Sequence, residues 1–174
     1  LIKGPSGSGK TTLLRTIAGL WAYSEGTVRC PQHDVLFLSQ KPYLPQGRLI
    51  DALFYPQVAP DDVDVAKAAQ IMQQVQLGHL AEKLTQENDW TRVLSLGEQQ
   101  RLSFARVLMH KPLAAFLDEA TASMDEGLED AMYRLLREKL PQTTIISVGH
   151  RSTLQTHHQQ HLLINPEDQS WQLL

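Results

Sequence analysis

The residues with the clearest chemistry form a glycine-rich loop near the start of the chain. The stretch G-P-S-G-S-G-K-T-T matches the pattern G-x-x-x-x-G-K-[ST]. A loop that wraps a polyphosphate points several successive N–H groups inward, and glycines permit the positive φ angles and close approach that this requires. Lys10 can then place its charge on the β- and γ-phosphates, and Thr11 can offer its hydroxyl to Mg²⁺. A glycine-serine turn without a ligand is the alternative. The predicted phosphate-binding residues are Gly4, Pro5, Ser6, Gly7, Ser8, Gly9, Lys10, Thr11 and Thr12.

Two carboxylates follow an apolar run that is typical of a buried parallel strand. The run covers residues 113–117 and is followed by Asp118 and Glu119. Asp118 can hold Mg²⁺ directly or through water, and Glu119, pointing the other way as the next residue of the strand, can orient a water for attack on a γ-phosphate. The alternative is that both residues only cap the next helix, which would leave the metal site opposite Thr11 empty.

Three further polar residues stand where a ligand could be bound. Gln40 comes just after the predicted strand 35–38, and His150 follows the predicted strand 143–148. Ser95 can cap a helix whose first turn could bind an anion. Taken singly, each is more often an ordinary loop residue or a plain helix cap, and position alone leaves both interpretations open.

The elements that must position these residues alternate between strands and helices, which predicts an α/β fold. Helices are predicted after the glycine loop, from Ser95 and from Asp125. Between residues 51 and 84 we expect a small helical insert, with Asp61 or Asp62 as its N-cap. Its apolar face is predicted to consist of Val65, Ala69, Met72 and Val75. Strands are predicted at residues 1–2, 27–30, 35–38, 113–117, 143–148, 162–164 and 170–173, the last two joined through Asn165-Pro166.

Composition excludes several classes of protein. The 174 residues are 42% hydrophobic, which suits one globular domain, and the net charge of −3 without a Lys/Arg block disfavours a nucleic-acid partner. Cys30 stands alone, so neither an intrachain disulfide nor a thiolate metal cluster is possible, and a reducing compartment is expected. No apolar run reaches the roughly 18 residues of a membrane span. The histidines at 157, 158 and 161 are interpreted as part of a solvated polar segment rather than a metal site. Because the chain opens inside a strand, we expect it to be part of a longer polypeptide.

Together and in this order, these motifs resemble the ATPase domain of ABC transporters over nearly the whole chain. The glycine loop resembles the Walker A loop, Gln40 the Q-loop and His150 the switch histidine. L-S-L-G-E-Q-Q-R resembles the signature motif, A-A-F-L-D-E the Walker B strand, and residues 122–125 the D-loop. Pro-Tyr-Leu-Pro at 42–45, Asp89-Trp90 and Leu96 are similar to a bacterial YddA-like branch. In that branch an SbmA/BacA-type membrane domain precedes the ATPase, and the branch is related to the peroxisomal acyl-CoA (subfamily D) transporters.

The resemblance implies a P-loop NTPase fold, a mainly parallel sheet flanked by helices with a small helical subdomain. Residues 1–174 would form one ABC ATPase domain, with the helical subdomain at about 49–110 inserted in the core. The first β-strands of the family would precede Leu1, so the N-terminal β part would be truncated.

The resemblance also implies ATP binding and hydrolysis that power transmembrane transport. Glu119 and His150 would be catalytic, and Thr11, Gln40 and Asp118 would arrange Mg²⁺. Two ATPase domains would pair head to tail. The membrane domain, upstream on the same polypeptide, would contact the segment around Tyr43 at the cytoplasmic face of the bacterial inner membrane. The residues expected to reach nucleotide across the dimer or to link its two sites are Ser95, Gly97, Glu98 and Asp125.

Two other functions stay open. One is a soluble ABC-type ATPase that acts on nucleic acid or ribosomes. Such a protein would carry coiled-coil or zinc insertions between Gln40 and Ser95, or basic arms, and the sequence has none of them. The other is a nucleotide switch without turnover, against which intact Glu119 and His150 argue. Two departures from the family pattern are Leu96 in place of a glycine and Ala122-Ser123-Met124 in place of Ser-Ala-Leu.

Overall fold

The computed structural model describes residues 1–31, 33–165, 167–168 and 170–174. Within them the chain forms two compact units. The first consists of residues 1–40, 112–120 and 142–174, and the second of residues 41–111 and 121–141. The predicted α/β class is confirmed, with a mainly parallel sheet and helices. Pro166 of the predicted Asn165-Pro166 connection lies outside the described residues.

The first unit contains the main sheet. Its described strands are β1 (Ile2–Lys3), β2 (Val35–Ser39), β5 (Ala114–Asp118), β6 (Thr144–Val148), β7 (Leu162–Ile164) and β8 (Trp171–Leu173). They are arranged in the order β2-β5-β6-β1-β7-β8, and every pairing is parallel except the one between β7 and β8. Parallel strands end at the same edge of a sheet. The residues that follow β1, β2, β5 and β6 therefore meet along one edge, and these are the predicted site segments.

The core of the first unit is built on β5, whose five residues are all buried. Leu14 of helix α1 (Lys10–Ile17) packs in the same cluster as Phe116, and the Phe116 ring stacks on Phe37 of β2 at 6.5 Å between centroids. A side chain of this kind contributes about 1.5–3 kcal/mol when it is fully buried. This cluster fixes α1, and with it the glycine loop, beside the end of β5.

The second unit is mostly helical. Its helices are α2 (Leu49–Phe54), α3 (Val65–Gln74), a 3₁₀ helix (Gly78–Lys83), α4 (Trp90–Val93), α5 (Leu96–His110) and α6 (Glu126–Lys139). A short antiparallel pair joins β3 (Gly47–Arg48) to β4 (Glu87–Asn88). Trp90 is 1% exposed and its indole N–H donates to the Gly47 carbonyl at 3.0 Å. Across α5 and α6, the rings of Phe104 and Tyr133 meet edge to face at 5.8 Å.

Four expectations about local structure are wrong. Residues 27–30 form no strand, and Val28 is half exposed. A strand needs a neighbour for its backbone groups, and no described strand pairs with this segment, so β propensity alone does not form one. The N-cap of α3 is Asp64, which accepts from Lys67 N–H at 3.0 Å, rather than Asp61 or Asp62.

The later start of α3 also changes its buried face. Val65, in the first turn, is 38% exposed, and the face instead consists of Ala68, Ile71, Met72 and Val75. The histidine segment differs too, because His158 is 8% exposed and bonded to Ser147 Oγ at 3.0 Å. A second 3₁₀ helix (Ser152–His157) folds this segment back onto β6, so the interpretation as a solvated segment is wrong for His158. No group of three or more His, Cys, Asp or Glu residues within the described ranges could hold a metal ion.

None of the helices in the described part of the chain combines the length and the apolar character needed to cross a bilayer.

Candidate functional site

The glycine loop connects β1 to the first turn of α1. Gly7 and Gly9 have φ angles of 78° and 84°, in the left-handed region that glycine adopts without strain, as predicted. Gly9 is also the N-cap of α1, so the loop leads directly into the free N–H groups of the helix start. The loop and the helix dipole together form an environment that favours an anion.

Lys10, the charged residue of this loop, is buried, with 5% of its surface exposed. Its ammonium donates to the carbonyl oxygens of Gly4 at 3.0 Å and Pro5 at 2.6 Å. These two bonds compensate for the burial of the charge and hold the ammonium over the loop. The positive charge is therefore already placed where a phosphate chain would lie along the loop amides.

Thr11 and Asp118 bring a hydroxyl and a carboxylate together. Thr11 Oγ1 donates to Asp118 Oδ1 at 2.8 Å, and Asp118 is 6% exposed at the end of β5. In the sheet register Asp118 lies between Ser39 of β2 and Val148 of β6. Gln40 follows Ser39 directly and is exposed. Hard oxygen ligands are what Mg²⁺ prefers, and this ion uses few protein ligands with water and phosphate completing its shell, so the residues fit it.

Glu119 departs from the strand geometry that the sequence predicts. β5 ends at Asp118, and Glu119 takes a φ angle of 51°, so it does not simply alternate with Asp118 along the strand. Its N–H donates to the Val148 carbonyl at 3.1 Å, and its Oε1 lies 3.2 Å from His150 Nε2. A non-glycine residue in this region is unusual and such residues cluster at functional sites. The turn is what directs the Glu119 carboxylate toward His150.

A cavity of about 330 Å³ joins these parts of the first unit. It is lined by Ser6, Gly7, Gly9, Lys10, Thr11, Thr12, Glu119 and His150. The structure thus brings six residues of the glycine loop together with both predicted catalytic residues. Gly4, Pro5, Ser8, Gln40 and Asp118 are not among the lining residues, although Asp118 touches Thr11 directly.

The remaining predicted site residues belong to the second unit, at the starts of α5 and α6. Ser95 is the N-cap of α5 in a capping box: its backbone N–H and hydroxyl donate to Glu98 Oε2 at 2.9 and 2.7 Å. Burial alone would raise the pKa of Glu98, but the hydrogen bonds from Ser95 and from His79 lower that pKa below its usual value. Gly97 lies between them in the first turn. Asp125 is the N-cap of α6 and accepts from Leu128 N–H at 2.8 Å.

Sequence reasoning missed a buried polar face on α5. Gln99, Gln100, Ser103 and Arg106 are all under 8% exposed. The spacing of these polar residues, three or four apart, places them on one face of a helix and is visible in the sequence. Only the packing shows that this face is buried. Arg106 donates to the carbonyls of Ala52 at 2.6 Å and Tyr43 at 2.7 Å, and burial lowers the pKa of its guanidinium to about 10.

A glycine loop at a helix start, with two carboxylates at the end of a parallel strand of the same sheet, defines the class of P-loop nucleotide-binding domains. A family model described as "ABC transporter" matches residues 1–122, and the chain belongs to this family. The predicted resemblance is therefore confirmed.

The similar proteins include members of the two groups that the sequence resembles, the YddA-like proteins and the D family transporters. An "Uncharacterized ABC transporter ATP-binding protein" of Haemophilus influenzae is 67% identical over 174 residues, covering 100% of this chain and 29% of its own length. The "ABC transporter D family member 2, chloroplastic" of Arabidopsis thaliana is 35% identical over 216 residues, covering 97% of this chain and 30% of its own. The "Inner membrane ABC transporter ATP-binding protein YddA" of Escherichia coli is 37% identical over 151 residues, covering 87% and 26%. The chain thus spans less than a third of the length of these relatives.

One solved structure, "Structure of a bacterial Atm1-family ABC exporter with ATP bound", has a similar fold. Its TM-score is 0.77 at 23% identity, over 94% of this chain and 31% of that chain. At this identity the likeness supports the fold alone.

Proposed function

We propose that this chain is the ATP-hydrolysing domain of an ABC transporter and that it couples the conversion of ATP and water to ADP and phosphate to transport across a membrane. The observation that carries the proposal is the cavity in which the glycine loop, Glu119 and His150 meet. A loop alone would support phosphate binding; the carboxylate and imidazole beside it add the groups that hydrolysis requires.

The loop amides and Lys10 bind the β- and γ-phosphates. The Lys10 ammonium exchanges its two carbonyl acceptors for phosphate oxygens, and charge-assisted bonds of this kind are stronger than those between neutral groups. The buried position of Lys10 also strengthens the attraction, since it is less screened than at an exposed site.

Thr11, Asp118 and Gln40 would hold Mg²⁺, directly or through water. When bound, this ion would neutralise charge that develops on the phosphate oxygens during the displacement. Thr11 and Asp118 are already within hydrogen-bonding distance, so these two ligands would need little rearrangement.

Glu119 acts on the attacking water. Its carboxylate accepts a hydrogen bond from the water, orients it toward the γ-phosphate and takes up its proton as the new P–O bond forms. The bond between the γ-phosphorus and the oxygen that bridges it to the β-phosphate breaks in the same displacement, and ADP leaves with that oxygen. His150 Nε2, at 3.2 Å from Glu119 Oε1, holds this carboxylate in place and supports the γ-phosphate.

The proposed assembly is a head-to-tail pair of such domains. Ser95, Gly97 and Glu98, at the N-terminal end of α5, bind the phosphates held by the partner's glycine loop, and Asp125 links the two sites.

Residues 1–174 form one ATPase domain, in which residues from about 49 to 110 form the helical subdomain. The membrane domain, upstream on the same polypeptide, contacts the segment around Tyr43, which is 62% exposed, and places the assembly on the cytoplasmic face of the inner membrane.

The test is ATP turnover by the complete transporter, comparing the wild type with Glu119→Gln and with Glu25→Gln as a matched control on an exposed residue. We expect the turnover of Glu119→Gln to fall by about 100-fold or more, which is the usual contribution of a general base. This variant should still bind ATP, and because the bound ATP is not hydrolysed, the two domains should stay paired. Glu25→Gln should behave as wild type.

Tight ATP binding without turnover in the wild type would contradict hydrolysis and favour a nucleotide switch. Turnover that is stimulated by nucleic acid or ribosomes, and not by membrane reconstitution, would instead favour the soluble class of ATPase.

A further inference from the structure

Helix α5 contacts the peptide groups of Ser123 on two sides. The Gln100 side-chain oxygen accepts a hydrogen bond from the Ser123 N–H at 2.9 Å, and Gln100 is fully buried. At Gly97, one turn earlier on the helix, a Cβ atom would lie 3.1 Å from the Ser123 carbonyl oxygen. Residues three apart share a helix face, so both contacts come from the same face of α5.

The second contact explains why position 97 is a glycine. Glycine inside a helix is disfavoured relative to alanine, so its presence needs a reason. A methyl group at 3.1 Å from a backbone oxygen is closer than nine in ten such contacts, so the Ser123 carbonyl would have to shift by a few tenths of an ångström to admit it. The preceding residue, Leu96, is 38% exposed, so its side chain does not meet the same restriction.

The segment that carries Ser123 is held from its other end as well. Met124 is 3% exposed and its N–H donates to the Thr121 carbonyl at 3.0 Å. The Thr121 hydroxyl donates to the buried carboxylate of Glu129 on α6. The segment 121–125 is therefore bonded to α5 through Gln100 and to α6 through Glu129.

We propose that Gln100 and Gly97 join the start of α5 to residues 122–125, so that Ser95 and Asp125 are presented to the partner domain as one rigid surface. Gln100 is then a positioning residue for hydrolysis, acting through Ser123 rather than touching nucleotide. This inference rests on the proposed function, because it assigns Gln100 a part in the same cycle.

The experiment uses the complete transporter with three variants. Gln100→Leu removes the acceptor at similar size, and Gln100→Glu keeps an oxygen acceptor. Gln74→Leu makes the first change at an exposed glutamine of α3 and serves as the control. Amide hydrogen exchange of the peptide that contains Ser123 reports the contact itself. ATP affinity and turnover at saturating ATP report its consequence.

For Gln100→Leu we expect faster exchange at Ser123 and turnover lowered roughly tenfold, the effect of one buried hydrogen bond, with ATP affinity changed by less than about twofold. Gln100→Glu should retain most of the turnover and the slow exchange, and Gln74→Leu should match the wild type. A purely structural role would instead lower affinity and turnover together in proportion to the folded fraction.

Unchanged turnover and exchange in Gln100→Leu would overturn the proposal, as would a Gln100→Glu variant as impaired as Gln100→Leu. If Gln100→Leu does not fold, Gly97→Ala provides the exchange test, and slow exchange at Ser123 in that variant would also overturn it. Absence of turnover in the wild type would contradict the proposed function instead, and the exchange measurement would still decide the contact.

Discussion

Thr11 and Asp118 illustrate how a site forms from distant residues. They are 107 positions apart in the sequence, yet a hydrogen bond of 2.8 Å joins them. Asp118 comes from the strand that carries the core, and Thr11 from the helix packed against that strand. Their separation is therefore set by core packing, and their chemistry suits a hard cation.

We predict that Thr11→Val raises the Mg²⁺ concentration needed for half-maximal ATP turnover by roughly tenfold or more, because an oxygen ligand is replaced by a methyl group of similar volume. Thr11→Ser keeps the hydroxyl and should remain close to wild type. A Mg²⁺ titration of turnover checks this, with Thr144→Val on the exposed face of β6 as the control and EDTA abolishing turnover in all variants. Equal Mg²⁺ requirements for Thr11→Val and wild type would contradict the assignment.

Among the helices, α5 is held in place by polar contacts as well as by apolar packing. Its C-terminal half carries Arg106, which donates to Ala52 and Tyr43, and His110, whose ring meets Phe54 edge to face at 6.3 Å. The Arg106 guanidinium also lies 5.2 Å from the centre of the Tyr55 ring. The loop that presents Tyr43 is thus anchored to α5, the helix that Ser95 caps.

His110 makes the stability of this region depend on pH. Burial lowers the pKa of His110 below its ordinary value of 6.5, and the charge of Arg106 lowers it further, although hydrogen bonding to the backbone of Phe54 and Tyr55 opposes them. A histidine with a depressed folded-state pKa binds its proton more readily when unfolded. Stability is then highest above pH 6.5 and falls as the pH drops from there toward the folded-state pKa.

We predict that the unfolding temperature falls between pH 7.5 and pH 5 by less in His110→Leu than in the wild type. Thermal unfolding at the two pH values measures this difference. His33→Leu, which removes an exposed histidine, serves as the control. A pH dependence in His110→Leu that equals that of the wild type would show that His110 does not control it.

For the whole molecule, nucleotide binding and folding are linked. A ligand that binds only the folded state adds RT ln(1 + [L]/Kd) to stability, which is about 2.7 kcal/mol at a hundredfold excess over Kd. The glycine loop, α1 and β5 pack in one core, so phosphate bound by the loop should stabilise that core.

We predict that ATP with Mg²⁺ at about one hundred times Kd raises the free energy of unfolding by about 2.7 kcal/mol. Lys10→Met should require at least about tenfold more ATP for the same increase, because a charged hydrogen-bond donor is lost. Lys67→Met, an exposed lysine on α3, should need no more ATP than wild type. Denaturant unfolding over a range of ATP concentrations tests this, and equal ATP dependence in Lys10→Met and wild type would argue against phosphate binding by Lys10.

Features built from residues that are neighbours along the chain could be predicted from the sequence. The glycine loop, the buried strand that ends at Asp118 and the capping of α5 by Ser95 depend on local spacing, and the structure has them where they are predicted. Such features follow from backbone sterics, alternation and capping, which act within a few residues. The family could be named for the same reason, since its motifs are short and ordered.

Which distant groups meet, and which are removed from water, depends on the folded chain and could not be predicted from local patterns. The fold turned Glu119 out of the strand toward His150, left residues 27–30 without a strand partner and buried His158 against Ser147. It also brought Gln100 to the Ser123 amide, although nothing in the local pattern pairs them. Strand pairing, desolvation and close packing depend on residues far apart in sequence, and their free energies exceed the local propensities that a sequence displays.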